Sequence, residues 1–395
     1  ESKRRMIAAK VPCVPGYEGH DQSDKTLVKE GAKIDLPLMV KAAAGGGGRG
    51  MRLVEDQKDL ANSIKLARAE AEGAFGSGEL ILEKAIINPR HVEIQVFADT
   101  LGNTIHLGER DCSVQRRHQK VVEEAPCPIM TSDLRASMGV AAINAAKSVN
   151  YRGAGTVEFL LDGTGSFYFL EMNTRLQVEH PVTELITGLD LVELQINVAQ
   201  GEPLGLAQAD VNLQGHAIEV RLYTEDPSQD FLPASGPVDL WAPASGVGIR
   251  IDSGICTGQS ISPFYDPMVA KIIGFGKTRE MARRRLIEAL KNTVLFGTPN
   301  NKDFLIDCLE KQSFIDGAAT TAFIAEEFSA SDMAIRPPDF VDSAVAACIE
   351  LTLENQKHQQ SSLLVSECLK NWTSASAMVS RKQYWFGELT HDLSV

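Results

Sequence analysis

The chain has 395 residues, 44% of them hydrophobic and 23% charged, enough to bury more than one core, so two or three domains are expected. A net charge of −13 argues against nucleic acid as a partner, and with no run of eighteen apolar residues no membrane-spanning helix is expected. Seven cysteines are scattered without C-x-x-C spacing and read as reduced thiols of an intracellular protein rather than a zinc site or a disulfide frame.

The first strong pattern in chain order is an apolar strand over residues 37–44 that carries one lysine, Lys41, and runs into Gly45-Gly46-Gly47-Gly48-Arg49-Gly50. Glycine lets backbone N–H groups approach an anion without a Cβ in the way, while Lys41 and Arg49 supply fixed positive charge. The run formally contains G-x-G-x-x-G, but that fingerprint must open a helix, and here a short strand over 51–54 follows. No Gly-Lys-Ser/Thr closes the loop, so a Walker loop is excluded as well. Strand, glycine loop and strand suggest a flap over a nucleotide. A helix is expected over 56–71 and another over 132–148 started by an N-cap serine; a third, over 190–200, is stopped by Gly201. Residues 215–273 read as β-rich, with strands at 216–222 and 268–273, and a helix over 278–291 follows. From residue 329 the pattern weakens into a polar link, an alanine-rich helix near 343–354 and a strand-like piece at 384–389. The basic cluster Arg110, Arg116, Arg117, His118 and Lys120 is the expected positive cleft in this acidic chain.

Between the second and third of these helices lies the densest constellation. Residues 156–161 and 166–173 are strands joined by the turn Asp162-Gly163-Thr164-Gly165. If Leu161 pairs with Ser166, Glu158 faces Phe169, and Glu171 and Asn173 follow on the same face because side chains alternate with period two. Two carboxylates and an amide then share a patch that suits a hard divalent cation with oxygen ligands, such as magnesium bridging to phosphate.

These stretches, together with Glu83-Lys84, Pro89-Arg90-His91-Val92-Glu93-Ile94-Gln95, the run Glu109 to Lys120, Gln177-Val178-Glu179-His180 and Phe264-Tyr265-Asp266-Pro267-Met268, resemble the biotin carboxylase component of biotin-dependent carboxylases over residues 11–325. The phrasing near Gly16 to Asp24 is similar to α-subunits of acyl-CoA carboxylases of the geranyl-CoA and 3-methylcrotonyl-CoA type. The resemblance implies an α+β, ATP-grasp fold, with a lid at 14–86, a body at 87–205 and a β-rich C-terminal domain at 206–328. A remnant of a further domain at 1–13 and a linker or start of a subunit-interaction domain at 329–395 complete the expected division. It also implies ATP, magnesium or manganese, and biotin on a carrier domain as cofactors and substrates. Lys41 and the flap residues Gly46, Gly47, Gly48 and Arg49 would meet phosphate; Glu83, Lys84 and Ile86 would line the adenine pocket. His91, Gln115 and His118 would lie along ribose and phosphates. Glu158 and Glu171 would hold the metal with Asn173 beside them, and Lys120, Arg175, Gln177 and Val178 would cradle bicarbonate. Glu179 would be the base that deprotonates bicarbonate, a role calling for a carboxylate whose pKa burial raises. Arg250 would stabilise carboxyphosphate and the biotin enolate.

By the same resemblance the chain opens inside a helix of a missing N-terminal domain, which contributes part of the usual dimer face, and no Ala-Met-Lys-Met carrier motif occurs. A fragment with a recognisable site and impaired or no turnover alone is therefore expected, with a biotin carrier domain and a carboxyltransferase β-subunit as partners. Two alternatives stand beside it: another ATP-grasp ligase with a different acceptor, such as a carbamoyl-phosphate enzyme, and a non-catalytic assembly module. The family places the protein in the bacterial cytoplasm, or in the mitochondrial matrix of a eukaryote.

Overall fold

The computed structural model describes residues 2–45, 50–117, 119–361, 379–386 and 389–394, so the flap residues Gly46, Gly47, Gly48 and Arg49, and His118, lie outside the described residues. The chain divides into a unit to Asp332 and a unit from Met333.

In the larger unit a short helix α1 (Ser2–Ala8) leads into a small antiparallel sheet of β1 (Gly16–Tyr17), β2 (Leu38–Ala42), β3 (Met51–Val54) and β4 (Leu80–Lys84), in the order β1-β4-β2-β3. Alternation along β2 sends Leu38, Val40 and Ala42 to one face, where they meet Leu80 and Leu82 of β4. That face is closed by α2 (Asp24–Gly31), through Leu27, and by α3 (Leu60–Phe75), through Leu60, Ile64, Ala67 and Ala71 at helical spacing. The helix expected over 56–71 is displaced. Asp56 caps a single 3-10 turn, the α-helix starts at Leu60, and it continues until Phe75 has packed on the lid core and Gly76 turns left-handed at φ 70°.

The body is built on an eight-stranded, wholly antiparallel sheet. Its strands are β5 (Arg90–Ala98), β6 (Thr104–Arg116), β7 (Gln119–Ala125), β8 (Gly153–Leu161), β9 (Phe167–Asn173), β10 (His216–Tyr223) and the strands Ile249–Ser253 and Met268–Gly276. From one edge the order is Ile249–Ser253, Met268–Gly276, β10, β7, β6, β5, β8, β9. Because β10 pairs with β7, one sheet runs across the boundary expected at 205/206.

All nine residues of β5 are buried, but its faces differ in chemistry. Val92, Ile94 and Val96 join Val157, Phe159 and Leu161 of β8 against α4 (Ser132–Ser148), which offers Met138, Ala141, Ala142 and Ala145. Thr131, one residue earlier than the expected Ser132, is the N-cap of α4, because its hydroxyl accepts from the Leu134 amide. The opposite face carries His91, Glu93 and Gln95, and α5 (His180–Thr187) and α6 (Leu191–Ala199) lie over the sheet on that side. Asp190 caps α6, and Gly201 follows it at φ 91°. Beyond the sheet, Thr278 caps α7 (Arg279–Asn292).

The second unit consists of the helix Phe340–Ser361, longer than the expected 343–354, and the hairpin Arg381–Phe386/Leu389–Ser394. Ser343 bonds to His391, and Lys382 pairs with Glu350 and Glu354.

Candidate active site

The charged face of β5 is the floor of the site. Cross-strand pairing sets Glu93 opposite Glu158 on β8 and Arg110 on β6, and Glu158 opposite Glu171 on β9. The hairpin register therefore differs from the expected one, in which Glu158 faced Phe169. Leu161 pairs with Phe167 instead of Ser166, because the Asp162 carboxylate accepts from the amides of Thr164 and Ser166 and draws Ser166 into the turn, which is one residue longer than expected. An irregularity next to Phe159 then lets Phe169 pair with Phe159 and Glu171 with Glu158, leaving Leu170 as the extra residue. This bulge brings the two carboxylates face to face.

Lys120 is the hub. Its Nζ lies 2.5 Å from Glu93, 2.9 Å from Glu158 and 2.7 Å from Glu179, nine-tenths buried among them. Burial works against its charge, but Glu93, Glu179 and Glu158 outweigh it and keep the ammonium well above its ordinary pKa. Glu158 also accepts from Asn173 at 2.9 Å and Gln177 at 3.1 Å, and His91 Nε2 lies 3.0 Å from its other oxygen. Burial would raise its carboxyl; His91 and Lys120 reverse this and hold it far below the carboxylate range. Glu171, across the strand, is pushed upward by burial and then by the charge of Glu158.

Arg110 is fully buried and spends all five N–H donors inside the sheet: on Glu93 at 2.5 Å, Gln95 at 2.8 Å, Thr183 at 2.9 Å, Thr156 at 3.2 Å and Gln177 at 3.3 Å. It thereby fixes the amide that reaches Glu158. The basic run around it is not one cleft: Arg116 stacks 4.3 Å from the Phe231 ring and pairs with Glu225, and Arg117 pairs with Asp230.

Glu179, 1% exposed, is held at one oxygen by Lys120 and at the other by Arg221 Nη2, 2.9 Å away; Arg221 Nε meets Glu123 at 2.6 Å. The guanidinium touching Glu179 is thus that of Arg221. Arg250, expected to stabilise carboxyphosphate and the biotin enolate, lies on the strand Ile249–Ser253, chelated by Asp252 at 3.0 Å and bonded to Glu184 at 2.7 Å. Arg175 is exposed, with its guanidinium on the Leu176 carbonyl, and the Val178 carbonyl accepts from Lys271 at 3.0 Å. Lys41 reaches 2.5 Å from Glu83, where Lys3 also lies at 2.9 Å; burial of Glu83 is offset by these two cations and its carboxyl is lowered. Lys84 sits 3.5 Å from Asp35, Ile86 is half-buried beyond β4, and Gln115 pairs with Lys120 across the β6–β7 hairpin. The structure thus brings together Glu158, Glu171, Asn173, Lys120, Gln177, Glu179 and His91, and leaves Arg250 and Arg175 outside that cluster.

Arg221, Glu93 and Glu123 were given no site role from sequence, and Arg110 was read only as part of a basic cleft. A signal existed: Glu219 and Arg221 at i, i+2 in an otherwise apolar strand, like His91, Glu93 and Gln95 in β5, place charges on one face of a buried sheet.

Residues 1–207 match the family model for the carbamoyl-phosphate synthase L chain ATP-binding domain, and residues 219–326 match the biotin carboxylase C-terminal domain. The chain is 47% identical over 361 residues to the mitochondrial methylcrotonoyl-CoA carboxylase subunit alpha of Dictyostelium discoideum, covering 91% of this chain and 52% of that protein. It is 49% identical over 325 residues to the biotin carboxylase of Nostoc sp., covering 82% of this chain and 73% of that one. Among solved structures, the biotin carboxylase domain dimer of the Hydrogenobacter thermophilus 2-oxoglutarate carboxylase, in complex with MgADP, ADP and bicarbonate, superimposes with a TM-score of 0.79 at 42% identity, covering 85% of this chain and 74% of that chain. The chain spans about half the length of the methylcrotonoyl-CoA carboxylase relatives. Its α+β architecture of lid, body and β-rich continuation is the ATP-grasp arrangement of these domains. The chain belongs to the biotin carboxylase family.

Proposed function

We propose that this chain carboxylates biotin with bicarbonate at the expense of ATP, the first half-reaction of a biotin-dependent acyl-CoA carboxylase. The observation that carries the reading is Glu179, a buried carboxylate held between Lys120 and Arg221 beside the Glu158–Glu171 pair. Glu179 takes the proton of bicarbonate, whose conjugate base attacks the γ-phosphorus of ATP; the bond to the ADP oxygen breaks and carboxyphosphate forms. Lys120 and the Gln177 amide lie on the path of the oxyanion, and Lys41 is the point charge of the lid for phosphate. Carboxyphosphate divides into carbon dioxide and phosphate, phosphate removes the N1 proton of biotin, and the enolate attacks carbon dioxide. Arg221, through its position at Glu179, is the guanidinium we assign to the oxyanions of these steps, in place of Arg250.

A divalent cation fits the donor set: Glu158 and Glu171 face each other across two strands with Asn173 beside them, and Glu171 is raised by burial and then by its neighbour's charge. When bound, magnesium or manganese supplies charge neutralisation at the phosphates.

We place the chain in an α-subunit of the 3-methylcrotonyl-CoA type, which the methylcrotonoyl-CoA carboxylase relatives support, or of the geranyl-CoA type, and assign it a biotin carrier domain and a carboxyltransferase β-subunit as partners, in the bacterial cytoplasm or a mitochondrial matrix. Within it, we assign residues 14–86 to the lid, 87–205 to the body, 206–328 to the C-terminal domain and 329–395 to the approach to subunit interaction. The test is ATP-dependent transfer of labelled bicarbonate to free biotin by the chain and by Glu179→Gln. Incorporation that disappears in the variant is expected; equal incorporation in both removes Glu179 from the mechanism, and none in the wild-type chain defeats the reading.

A further inference from the structure

Directly beneath the Arg221–Glu179 contact lies a pair of carboxyl groups to which the chemistry above gives no role. Glu123 on β7 and Glu219 on β10 are opposite one another in the antiparallel ladder, and both are fully buried. Groups so paired have Cβ atoms about 4.5–5.5 Å apart, within reach of a carboxyl–carboxyl hydrogen bond. On its other flank Glu219 faces the apolar Ile273. Glu123 gives one oxygen to Arg221 Nε, but its Oε2 and both oxygens of Glu219 have no partner among the described residues.

Three acceptors with no donor cannot stay so in a dry interior, since an unpaired buried carboxylate costs several kcal/mol. The charged neighbours do not supply the donor. Arg221 bonds to Glu123 and Glu179, Lys271 to the Val178 carbonyl and Asp252, and Lys120 to Glu93, Glu158 and Glu179, and none of them donates to the three free oxygens. From α5 this patch receives Val182 and Ile186, while His180 and Glu184 are engaged with the Gln177 carbonyl and Arg250. A proton is the remaining donor. Burial, then the charge of Glu123, raises Glu219 well above the usual range, and burial raises Glu123 to about 7 despite Arg221.

We propose that Glu219 is held as a neutral carboxylic acid donating to the free oxygen of Glu123, and that this hydrogen-bonded pair positions Arg221 against Glu179. Without the proton both carboxylates compete for the guanidinium; with it, Glu123 needs only Nε, and Nη2 is left for Glu179. Glu219 is thus a positioning residue, and its functional part rests on the biotin carboxylase reading above.

The test that needs no turnover is thermal unfolding of the full chain and of Glu219→Gln from pH 5 to pH 8. A carboxyl whose folded pKa is raised keeps a proton that the unfolded chain has released, so wild-type stability declines as pH climbs from the ordinary carboxylate pKa towards the folded one. An amide does not titrate. The Tm of Glu219→Gln relative to wild type should therefore rise by at least about 2–4 °C over this range; a difference independent of pH overturns the proposal. If the variant does not fold, the wild-type infrared spectrum decides: a carboxylic-acid C=O band at pH 7 that fades at alkaline pH is expected, and no such band overturns it. For positioning, Glu219→Gln, which keeps a neutral donor, should exceed Glu219→Leu by at least about tenfold in bicarbonate-dependent ADP formation and move its alkaline decline to higher pH. Equal rates and an unmoved decline refute the role. Absence of ADP formation in the wild-type chain would instead defeat the biotin carboxylase reading, while the pH dependence of Tm still decides whether Glu219 carries the proton.

Discussion

Replacing Arg221 by Met tests which guanidinium serves the chemistry. Arg221 donates to two carboxylates, Glu123 at 2.6 Å and Glu179 at 2.9 Å, that are 0% and 1% exposed. Removing it leaves Glu123 without a bonded cation, and Glu179 with Lys120 alone, among the described residues. Breaking a buried pair in this way costs about 3–5 kcal/mol of stability, and losing a preorganised charge at the reacting oxyanion costs about 10²–10³ in kcat. Arg250→Met is the control. Its side chain is 35% exposed, as is that of its partner Asp252, while its second partner Glu184 is 11% exposed, so solvent screens much of the interaction and the loss should stay within about 2 kcal/mol, with less than tenfold in rate. Arg221→Lys separates charge from geometry, because one ammonium cannot reproduce a fork spanning Glu123 and Glu179. Activity is read as ATP-dependent fixation of labelled bicarbonate on free biotin, and stability as the urea midpoint of each variant. The reasoning fails if Arg250→Met loses as much activity as Arg221→Met, or if Arg221→Met stays within tenfold of wild type while remaining folded.

Three further outcomes are expected. Glu93 is buried, yet Arg110 and Lys120 bring its carboxyl down to about 2; a lowered folded pKa means its stabilisation is complete above the ordinary carboxylate range and is lost as pH falls from about 4.5 towards 2, on the order of 3 kcal/mol, which urea midpoints across that window should show in wild type but much less in Glu93→Gln. Thr131→Ala should destabilise α4 by about 1 kcal/mol, whereas Ser132→Ala should change stability by no more than about 0.5 kcal/mol; similar losses would return the cap to Ser132. Phe159→Ala removes a fully buried ring set edge-on to Phe167 and Phe169, and denaturant unfolding should report a loss of about 3–5 kcal/mol; under about 1 kcal/mol would mean that the α4 face collapses around the gap.

The periodic parts of this chain were legible without the structure. Helix 132–148 and the strands on either side of the Asp162 turn follow from local pattern, and Asp190 and Gly201 bracket α6. Local pattern failed where a long-range contact decided the outcome. Alternation alone put Glu158 across from Phe169; it took a turn one residue longer and a further extra residue at Leu170 to set Glu158 against Glu171, and bulges leave little trace in composition. α3 runs past Ala71 because Phe75 finds the lid core. Arg221 lies 42 residues beyond Glu179, and only the β7–β10 pairing brings them together. Arg250 has the same chemistry and sits on the same sheet, so sequence gave no ground for choosing between them.

Charge balance in the sheet ties these observations together. Glu93, Glu123, Glu158, Glu179 and Glu219 are all buried on the strands or turn around Lys120, and the cations bonded to this group are Arg110, Lys120 and Arg221. Such an excess of negative charge is tolerated in a low-dielectric interior only if protons or further cations join it. The two residues least served by cations differ in exposure, and that difference decides which remedy each can take. Glu219 is sealed, with oxygens that receive no hydrogen bond among the described residues, so a proton suits it. Glu171 lies at the open edge strand, facing Glu158 with Asn173 beside it, where a hydrated divalent cation and its phosphate ligands can enter. The sheet therefore has a closed side, where charge is fixed by a proton and hydrogen bonds, and an open side, where it is left for substrate to complete. Glu179 stands between the two, joined to the first through Arg221 and to the second through Lys120, which is where a base must stand if taking the bicarbonate proton is to be coupled to transfer of the phosphoryl group.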